Sequence, residues 1–470
     1  MRRIPRVPLL VIAFLACACG GASPGAGPAS APAPAPPASP PNVAAVPLLP
    51  AVVGEVIGMP GEPVPGLKAN YVWTGLGWLG GDDDVVFEAI IQYRPGLDLG
   101  CGILRRASSG VVNAVLMQGQ WLPGTGGGVV KHPGLPIESK GEMLLLPALV
   151  EGGTIAQGLF AVSKWGGAPT LVHGETAGVV ARAEFAEGGV VIAEVVRSGV
   201  VSILAVEPDG GERLLCTGCM AGFSTDGRTV VVRTPYGADS IGLDGTVRTL
   251  LRVGEAAPGG PGLVRAVLDA RITANGEALL HATTDDATRP ALLIRDGAVV
   301  ASGGAPAPGT LGVFGTLYPA AGRGEELLFG AALLGDPDRA AGIFVAEDAG
   351  PPRLLADDRL VVPGFPHALV PLAREAVGGE GGVAAFAAAI FDGGGEIATG
   401  IFLPDAGGGA RRLLTTRARA PTIEPSIVIG FDYPLRDAVR VAGDGRVLVH
   451  AMLRIDRLPD ASLGALILLR

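Results

Sequence analysis

Short apolar strands alternate with glycine-rich turns along most of the chain, and three kinds of segment recur in a fixed order. The first is an apolar strand that ends in a turn such as GEAAPG (254–259) or GAPAPG (304–309). The second is a glycine turn followed by an apolar strand, such as ANGEALLHA (274–282). The third is a strand such as GIFLPDA (400–406), and each kind occurs eight times, about fifty residues apart. A further weak strand gives each repeat about four strands.

This repeat predicts an all-β fold, an eight-bladed β-propeller, because four strands per repeat of this length are typical of a propeller blade. Seven blades are the alternative, since the fourth repeat, at about 212 to 250, is short. The last repeat stops after its third segment at Arg470, and an unpaired strand and turn stand at 52–66. Pairing these two pieces closes the ring and leaves no exposed strand edge. The recurring turn is then the crossing from one blade to the next.

The first residues are typical of an exported protein. Three arginines precede an apolar run at 9–16 that is too short to cross a bilayer permanently, so residues 1–18 are predicted to be a signal peptide. The small residues around Cys19 resemble the lipobox of bacterial lipoproteins, which implies that Cys19 becomes the lipidated N-terminus. We prefer Cys19 over Cys17 because two glycines follow it. An ordinary cleaved signal peptide is the alternative.

The segment after the lipobox differs in composition from the rest of the chain. From Gly20 to Pro41 every residue is Gly, Ala, Ser or Pro, a composition that builds no core and favours an extended chain. We therefore predict a disordered linker over 19–46 and one propeller domain over 47–470. No further segment is apolar for long enough to be a membrane-spanning helix.

Charge and composition narrow the range of partners. The net charge of −9 argues against nucleic acid, whose phosphates require a basic surface. The chain holds 74 glycines and 40 prolines, which agrees with many short strands joined by turns. The expected partners are a membrane, through the lipid anchor, and an unidentified protein or glycan ligand. A monomer is expected.

The alternation of strands such as GGVAAFAA (381–388) and GIFLPDA (400–406) with GAPAPG turns resembles the bacterial choice-of-anchor tandem-repeat proteins with an NxxGxxAF motif. The resemblance covers roughly residues 47 to 470. It implies a propeller-like repeat array on a surface anchor, with the lipobox as the anchor, and it implies no catalytic residues. The motif's asparagine is largely missing, and only GGVAAF (381–386) approaches its core.

Scarce aromatic residues mark one candidate binding site. Aromatic residues make up 5% of the chain, yet Trp73, Trp78 and Trp121 fall in the first two repeats, near or in their turns. Such a group predicts a stacking platform for a sugar or a peptide. Packing inside a glycine-rich blade is the alternative.

Carboxylates mark a second candidate site. Glu62, Glu175 and Glu255 each follow a glycine of a crossing turn, so they are predicted to form an acidic mouth for a cation or a basic ligand. Solubilising loop residues are the alternative. The run Asp82 to Asp84 offers calcium ligands or a solvated turn, and no other cofactor is expected.

The remaining candidates are cysteines and histidines. Cys216 and Cys219 form a CxxC pair that an exported protein is expected to hold as a disulfide, with free thiols as the alternative. His281 and His450 occupy matching repeat positions, which places them either on a common ring or on solvent-facing outer strands. No residue is assigned as catalytic or as a metal ligand.

These observations favour a lipid-anchored binding or interaction module of the cell envelope, at the outer membrane and facing the periplasm or the cell surface. A propeller hydrolase or lyase acting on carbohydrate or lactone is the alternative, because propeller active sites are assembled from loops and leave no local motif.

Overall fold

The computed structural model describes residues 54–469 of the chain, all within the compact unit Pro47–Arg470. The predicted signal peptide, Cys19 and the predicted linker lie outside the described residues. The following positions inside the range are also outside the description: 80–83, 95–96, 135–137, 274, 320–326, 347–349, 361, 363–364, 366, 379–382, 393–394, 405–409, 419–425, 432–438, 443 and 456–457.

The described residues form antiparallel sheets arranged as blades, and in six of the eight blades the strands follow one another outwards in chain order. The strands of the first four blades, preceded by an N-terminal strand β1, are β1 (Gly54–Gly58); β2 (Asn70–Leu79), β3 (Val85–Arg94), β4 (Leu97–Arg106) and β5 (Val112–Met117); β6 (Val129–Pro133), β7 (Glu138–Lys140), β8 (Met143–Glu151), β9 (Gln157–Ser163) and β10 (Thr170–Glu175); β11 (Val179–Phe185), β12 (Val191–Arg197), β13 (Val200–Val206) and β14 (Glu212–Cys219); and β15 (Phe223–Thr225), β16 (Thr229–Thr234), β17 (Gly237–Gly242) and β18 (Val247–Arg252). A 3-10 turn, Glu187–Gly189, joins β11 to β12.

The other four blades repeat this order. Their strands are β19 (Val264–Ile272), β20 (Ala278–Thr284), β21 (Ala291–Arg295) and β22 (Ala298–Ser302); β23 (Val313–Pro319), β24 (Leu327–Leu334), β25 (Ala341–Ala346) and β26 (Arg353–Asp357); β27 (Ala368–Gly378), β28 (Ala384–Asp392), β29 (Gly395–Pro404) and β30 (Ala410–Thr415); and β31 (Ser426–Phe431), β32 (Val439–Val441), β33 (Val447–Ile455) and β34 (Leu458–Leu469). The second sheet has the order β6, β8, β9, β10, with β7 paired to β8, and the last sheet has the order β31, β33, β34, β1, with β32 paired to β33.

The blades are packed into a ring by apolar clusters that lie between them. Eight clusters of buried side chains are described, and each is shared by two neighbouring blades. One of them joins the last blade to the first, through Leu448, Leu466 and Leu468 packed with Tyr71 and Phe87. The predicted eight-bladed propeller is therefore confirmed.

The seven-bladed alternative is wrong, because the short fourth repeat builds a complete sheet of four strands, β15 to β18. Its strands are three to six residues long, and short hairpins join them. Phe223, Val230 and Ile241 of this blade are buried against the third blade, so the short blade still fills its place in the ring.

The crossing turns recur because five of them share one hydrogen-bonded geometry. A residue with positive φ donates its N–H to a carbonyl of the next blade's first strand, and the next residue of the turn accepts an N–H from the same partner residue. The residues with positive φ are Gly61, Gly119, Gly254, Gly304 and Arg417, with φ between 64° and 88°. Glycine adopts this conformation without strain, which explains its repetition.

The N-terminal strand β1 pairs antiparallel with β34 and occupies the outermost position of the last blade. Its register places Gly54 opposite Leu469, Glu55 opposite Leu468 and Val56 opposite Ile467. Thr74 of the first blade donates a hydrogen bond to the Gly58 carbonyl over 3.3 Å. The strand therefore contacts both the last and the first blade.

Candidate functional site

The crossing turns lie on one face of the propeller. Each blade starts with an inner strand and ends with an outer strand of opposite direction, so the end of one blade and the start of the next meet at the same face. The connections between the second and third strands of each blade reach this face too. We call the crossing face the surface formed by residues 59–69, 118–128, 253–263 and 303–312.

Large apolar side chains stand exposed on the crossing face. Trp121 is 60% exposed, Leu263 is 46% exposed and Leu311 is 76% exposed, and each belongs to a different crossing turn. Tyr236, in the connection between β16 and β17, adds an exposed ring at the same side of the molecule. Isolated apolar side chains are common on protein surfaces, and these four come from separate connections of the same face.

The turns that carry these side chains are held in place by buried neighbours and by hydrogen bonds. Leu122 and Ala307 anchor their turns in the core. The Asp285 carboxylate accepts a hydrogen bond from the Leu263 N–H over 2.6 Å, and the Asp336 carboxylate accepts one from the Leu311 N–H over 2.9 Å. The exposed side chains are thus presented on an ordered scaffold.

The structure places the three predicted tryptophans in different surroundings. The Trp73 ring covers Gly75, and Trp73 itself is 37% exposed. Trp78 packs partly buried against the cluster between the first two blades, while Trp121 projects from a turn. Within the described residues no ring-to-ring contact joins any two of the three, so they do not form one continuous platform.

The three predicted glutamates also lie in unlike environments. Glu62 is half-buried, and burial raises its pKa above the usual value. Glu255 is exposed on its turn. Glu175 is buried at the end of β10. Burial alone would raise the pKa of Glu175, but hydrogen bonds from Arg197 and His173 outweigh it and lower that pKa.

Glu175 belongs to an ion network between the second and third blades, in which Glu175 and His173 are buried and Arg197 and Glu212 are exposed. His173 lies between two carboxylates, with Nε2 2.6 Å from Glu175 and Nδ1 2.5 Å from Glu212. Arg197 donates to both Glu175 oxygens over 3.0 and 3.1 Å. Glu175 and His173 come from the second blade and Arg197 and Glu212 from the third, so the network joins the two blades.

Asp84 carries a second buried ion cluster, between the first and second blades. Arg105 donates to its carboxylate over 2.6 and 3.0 Å, and Lys164 lies 3.2 Å from it. The Arg105 guanidinium also lies 3.6 Å from the centre of the Trp165 ring. Two cations beside Asp84 oppose the binding of calcium at this carboxylate. Asp82 and Asp83 lie outside the described residues.

The cysteine and histidine candidates lie apart from the crossing turns just described. Cys216 and Cys219 are joined by a disulfide in β14. His450 is buried, and its Nε2 donates to the Thr74 carbonyl over 3.0 Å. His281 is buried too, and this desolvation lowers its pKa below the usual value. Neither histidine has the solvent-facing position that the sequence left open.

A group that sequence reasoning missed lies at the junction of the first two blades. Glu88, Cys101 and His132 bring Oε1, Sγ and Nε2 to within 3.8 Å of one another, pair by pair. Burial raises the pKa of Glu88, an effect that His132 and a hydrogen bond from Cys101 partly offset. The three residues are 44 positions apart at most and share no motif, so no sequence signal marks them.

No family model and no curated protein matches the chain. Among solved structures the chain is similar to a puromycin hydrolase, with 17% identity and a TM-score of 0.38 over 86% of this chain and 62% of that one. It is also similar to prolyl oligopeptidase B from Galerina marginata, with 12% identity and a TM-score of 0.38 over 68% of this chain and 46% of that one. The chain thus spans less than two thirds of either protein.

A third similar structure is a calcium-binding protein, regucalcin from Agrobacterium tumefaciens, with 14% identity and a TM-score of 0.28 over 62% of this chain and 90% of that one. Similarities at this level identify no site or activity in the present chain. In the part of the chain that the structure describes, no helix has the length and apolarity needed to cross a bilayer.

Proposed function

We propose that the chain is an exported, lipid-anchored propeller that binds a protein partner at the cell envelope through its crossing face. The observation that supports this proposal is the exposure of Trp121, Leu263 and Leu311 on three hydrogen-bonded turns of one face. Apolar side chains held in place before binding lose little conformational freedom in a complex, which favours affinity.

A protein partner is favoured over a glycan by the chemistry of the exposed side chains. Sugars stack on aromatic rings, whereas Leu263 and Leu311 are aliphatic and no ring-to-ring contact is described between the three predicted tryptophans. A large apolar side chain such as Trp121 or Leu311 fits a pocket of a protein surface, as the central residues of protein interfaces do.

Exchange of Trp121 and Leu311 for alanine is expected to weaken the partner's binding by at least about thirtyfold, the cost of losing an interface anchor. The measurement is the yield of cross-linked complex from intact cells at graded expression levels. Val247→Ala, a change at an exposed valine in a hairpin of the opposite face, is the control and should leave the yield unchanged. An equal loss in Val247→Ala and in the double variant would exclude the crossing face.

The Cys19→Ala variant is expected to leave the membrane fraction, because the lipid on this cysteine is the proposed anchor. Cells are fractionated and the protein is quantified in the membrane and soluble fractions. Cys17→Ala is the control and should remain in the membrane fraction. Unchanged fractionation of Cys19→Ala would contradict lipidation at this residue.

A further inference from the structure

We propose that Glu88, Cys101 and His132 bind one Zn²⁺ ion, with the fourth coordination position open to water or to a ligand. This proposal is independent of partner binding at the crossing face. It assigns a metal site where the sequence predicted only the possibility of calcium at another position.

The fold brings the three ligands together from two blades. Glu88 lies on β3 and Cys101 on the neighbouring β4, where Ile103 is the direct partner of Glu88. Cys101 is two residues from Ile103, so its side chain lies on the same face of the sheet as Glu88. His132 comes from β6, the first strand of the second blade, so the packing of the two blades sets the third corner of the site.

The distances suit a zinc ion. Three atoms separated by 3.8 Å in each pair have a common centre about 2.2 Å from each of them, the separation divided by √3. Zinc binds sulfur at about 2.3 Å, and imidazole nitrogen and carboxylate oxygen at about 2.0 to 2.2 Å. An ion therefore fits between these side chains with shifts of a few tenths of an ångström.

The orientation of His132 distinguishes a metal site from a catalytic relay. Its Nδ1 lies 2.7 Å from the Pro133 carbonyl, which only accepts, so Nδ1 carries the proton and donates. In the neutral ring the Nε2 lone pair then faces Cys101 and Glu88. In a relay the carboxylate would hold Nδ1 instead, whereas here all three donor atoms converge on one point. A carbonyl that orients a metal-binding histidine is a common supporting contact.

The donor set selects the metal. A thiolate, an imidazole and a carboxylate are ligands for zinc and similar transition metals, whereas calcium and magnesium prefer oxygen throughout. Two negative charges from Cys101 and Glu88 balance a divalent ion. Cys101 and His132 are partly exposed, which leaves solvent access for the ion and for a fourth ligand.

The test uses the full chain with Cys17 and Cys19 changed to serine, so that N-terminal thiols do not bind metal. Zn²⁺ alone is titrated by calorimetry, and Co²⁺ serves as a spectroscopic substitute. We expect one Zn²⁺ per chain, a thiolate-to-cobalt charge-transfer band, and no displacement by excess Ca²⁺. Cys101→Ser, His132→Gln and Glu88→Gln should each weaken Zn²⁺ binding by at least about 100-fold, more than the loss of a supporting contact.

His367→Gln, a change at a partly exposed histidine of another blade, is the matched control and should bind Zn²⁺ as the parent does. Circular dichroism establishes that each variant is folded. A parent chain without the cobalt charge-transfer band would overturn the proposal without reference to any variant. Retention of Zn²⁺ affinity within threefold in the folded Cys101→Ser variant would overturn it as well.

Discussion

Deletion of residues 54–58 is expected to abolish the cooperative unfolding of the propeller and to cause aggregation. The deletion removes β1 and leaves the backbone groups of β34 unpaired along Leu466 to Leu469. It also removes Ile57, a buried member of the cluster that joins the last blade to the first. An unpaired strand edge is a template for pairing with other chains.

The measurement is thermal unfolding together with light scattering of the purified protein. Deletion of residues 30–34, five residues of the Ala/Pro-rich segment, is the control and should leave both unchanged. A peptide of residues 52–66 added to the 54–58 deletion should restore the transition, because it supplies the missing strand. A soluble deletion variant with the parent's melting temperature would show that the ring does not depend on β1.

The Asp84→Ala variant is expected to lose about 3 to 5 kcal/mol of unfolding free energy, the usual cost of removing one partner from a buried ion pair. Asp84 and Arg105 side chains are each only 3% exposed, and Lys164 is also buried. The substitution leaves two cations without their carboxylate in a site that is almost fully buried. The junction of the first two blades should therefore weaken.

Urea unfolding of the purified variant measures this loss. Glu187→Ala removes an ion pair with Arg228 in which both side chains are largely exposed, so it should cost less than about 1 kcal/mol. A loss of under 1 kcal/mol for Asp84→Ala as well would show that the buried cluster adds little to stability.

The propeller architecture was predictable because each blade is built from the same local sequence pattern of strands and turns. Five crossing turns use a residue with positive φ, four of them a glycine, and many hairpins also contain a glycine with positive φ, so these turns have similar sequences along the chain. The short fourth repeat left the blade number open between eight and seven. The lengths of its hairpins do not reveal that Phe223 and Ile241 are buried against the third blade, as the side chains of a complete blade are.

The candidate sites were predictable only in part, because side-chain environments depend on packing between blades. Glu62, Glu175 and Glu255 share a position relative to glycine, yet Glu175 is buried and is paired with His173 and Arg197, which come from two blades. For the same reason the sequence does not predict that Glu88, Cys101 and His132 lie together. The pairing of β3 with β4 brings Glu88 and Cys101 together, and the packing of the second blade against the first adds His132. Neither contact produces a fixed spacing in the sequence.

Photo-cross-linking in intact cells tests the proposed binding face most directly. A photoreactive amino acid replaces Leu311 on the crossing face or Val247 in a hairpin of the opposite face, both highly exposed positions. We expect one discrete protein adduct from position 311 and none from position 247. Adducts from position 247 alone, or equal adducts from both positions, would contradict a partner-binding role for the crossing face.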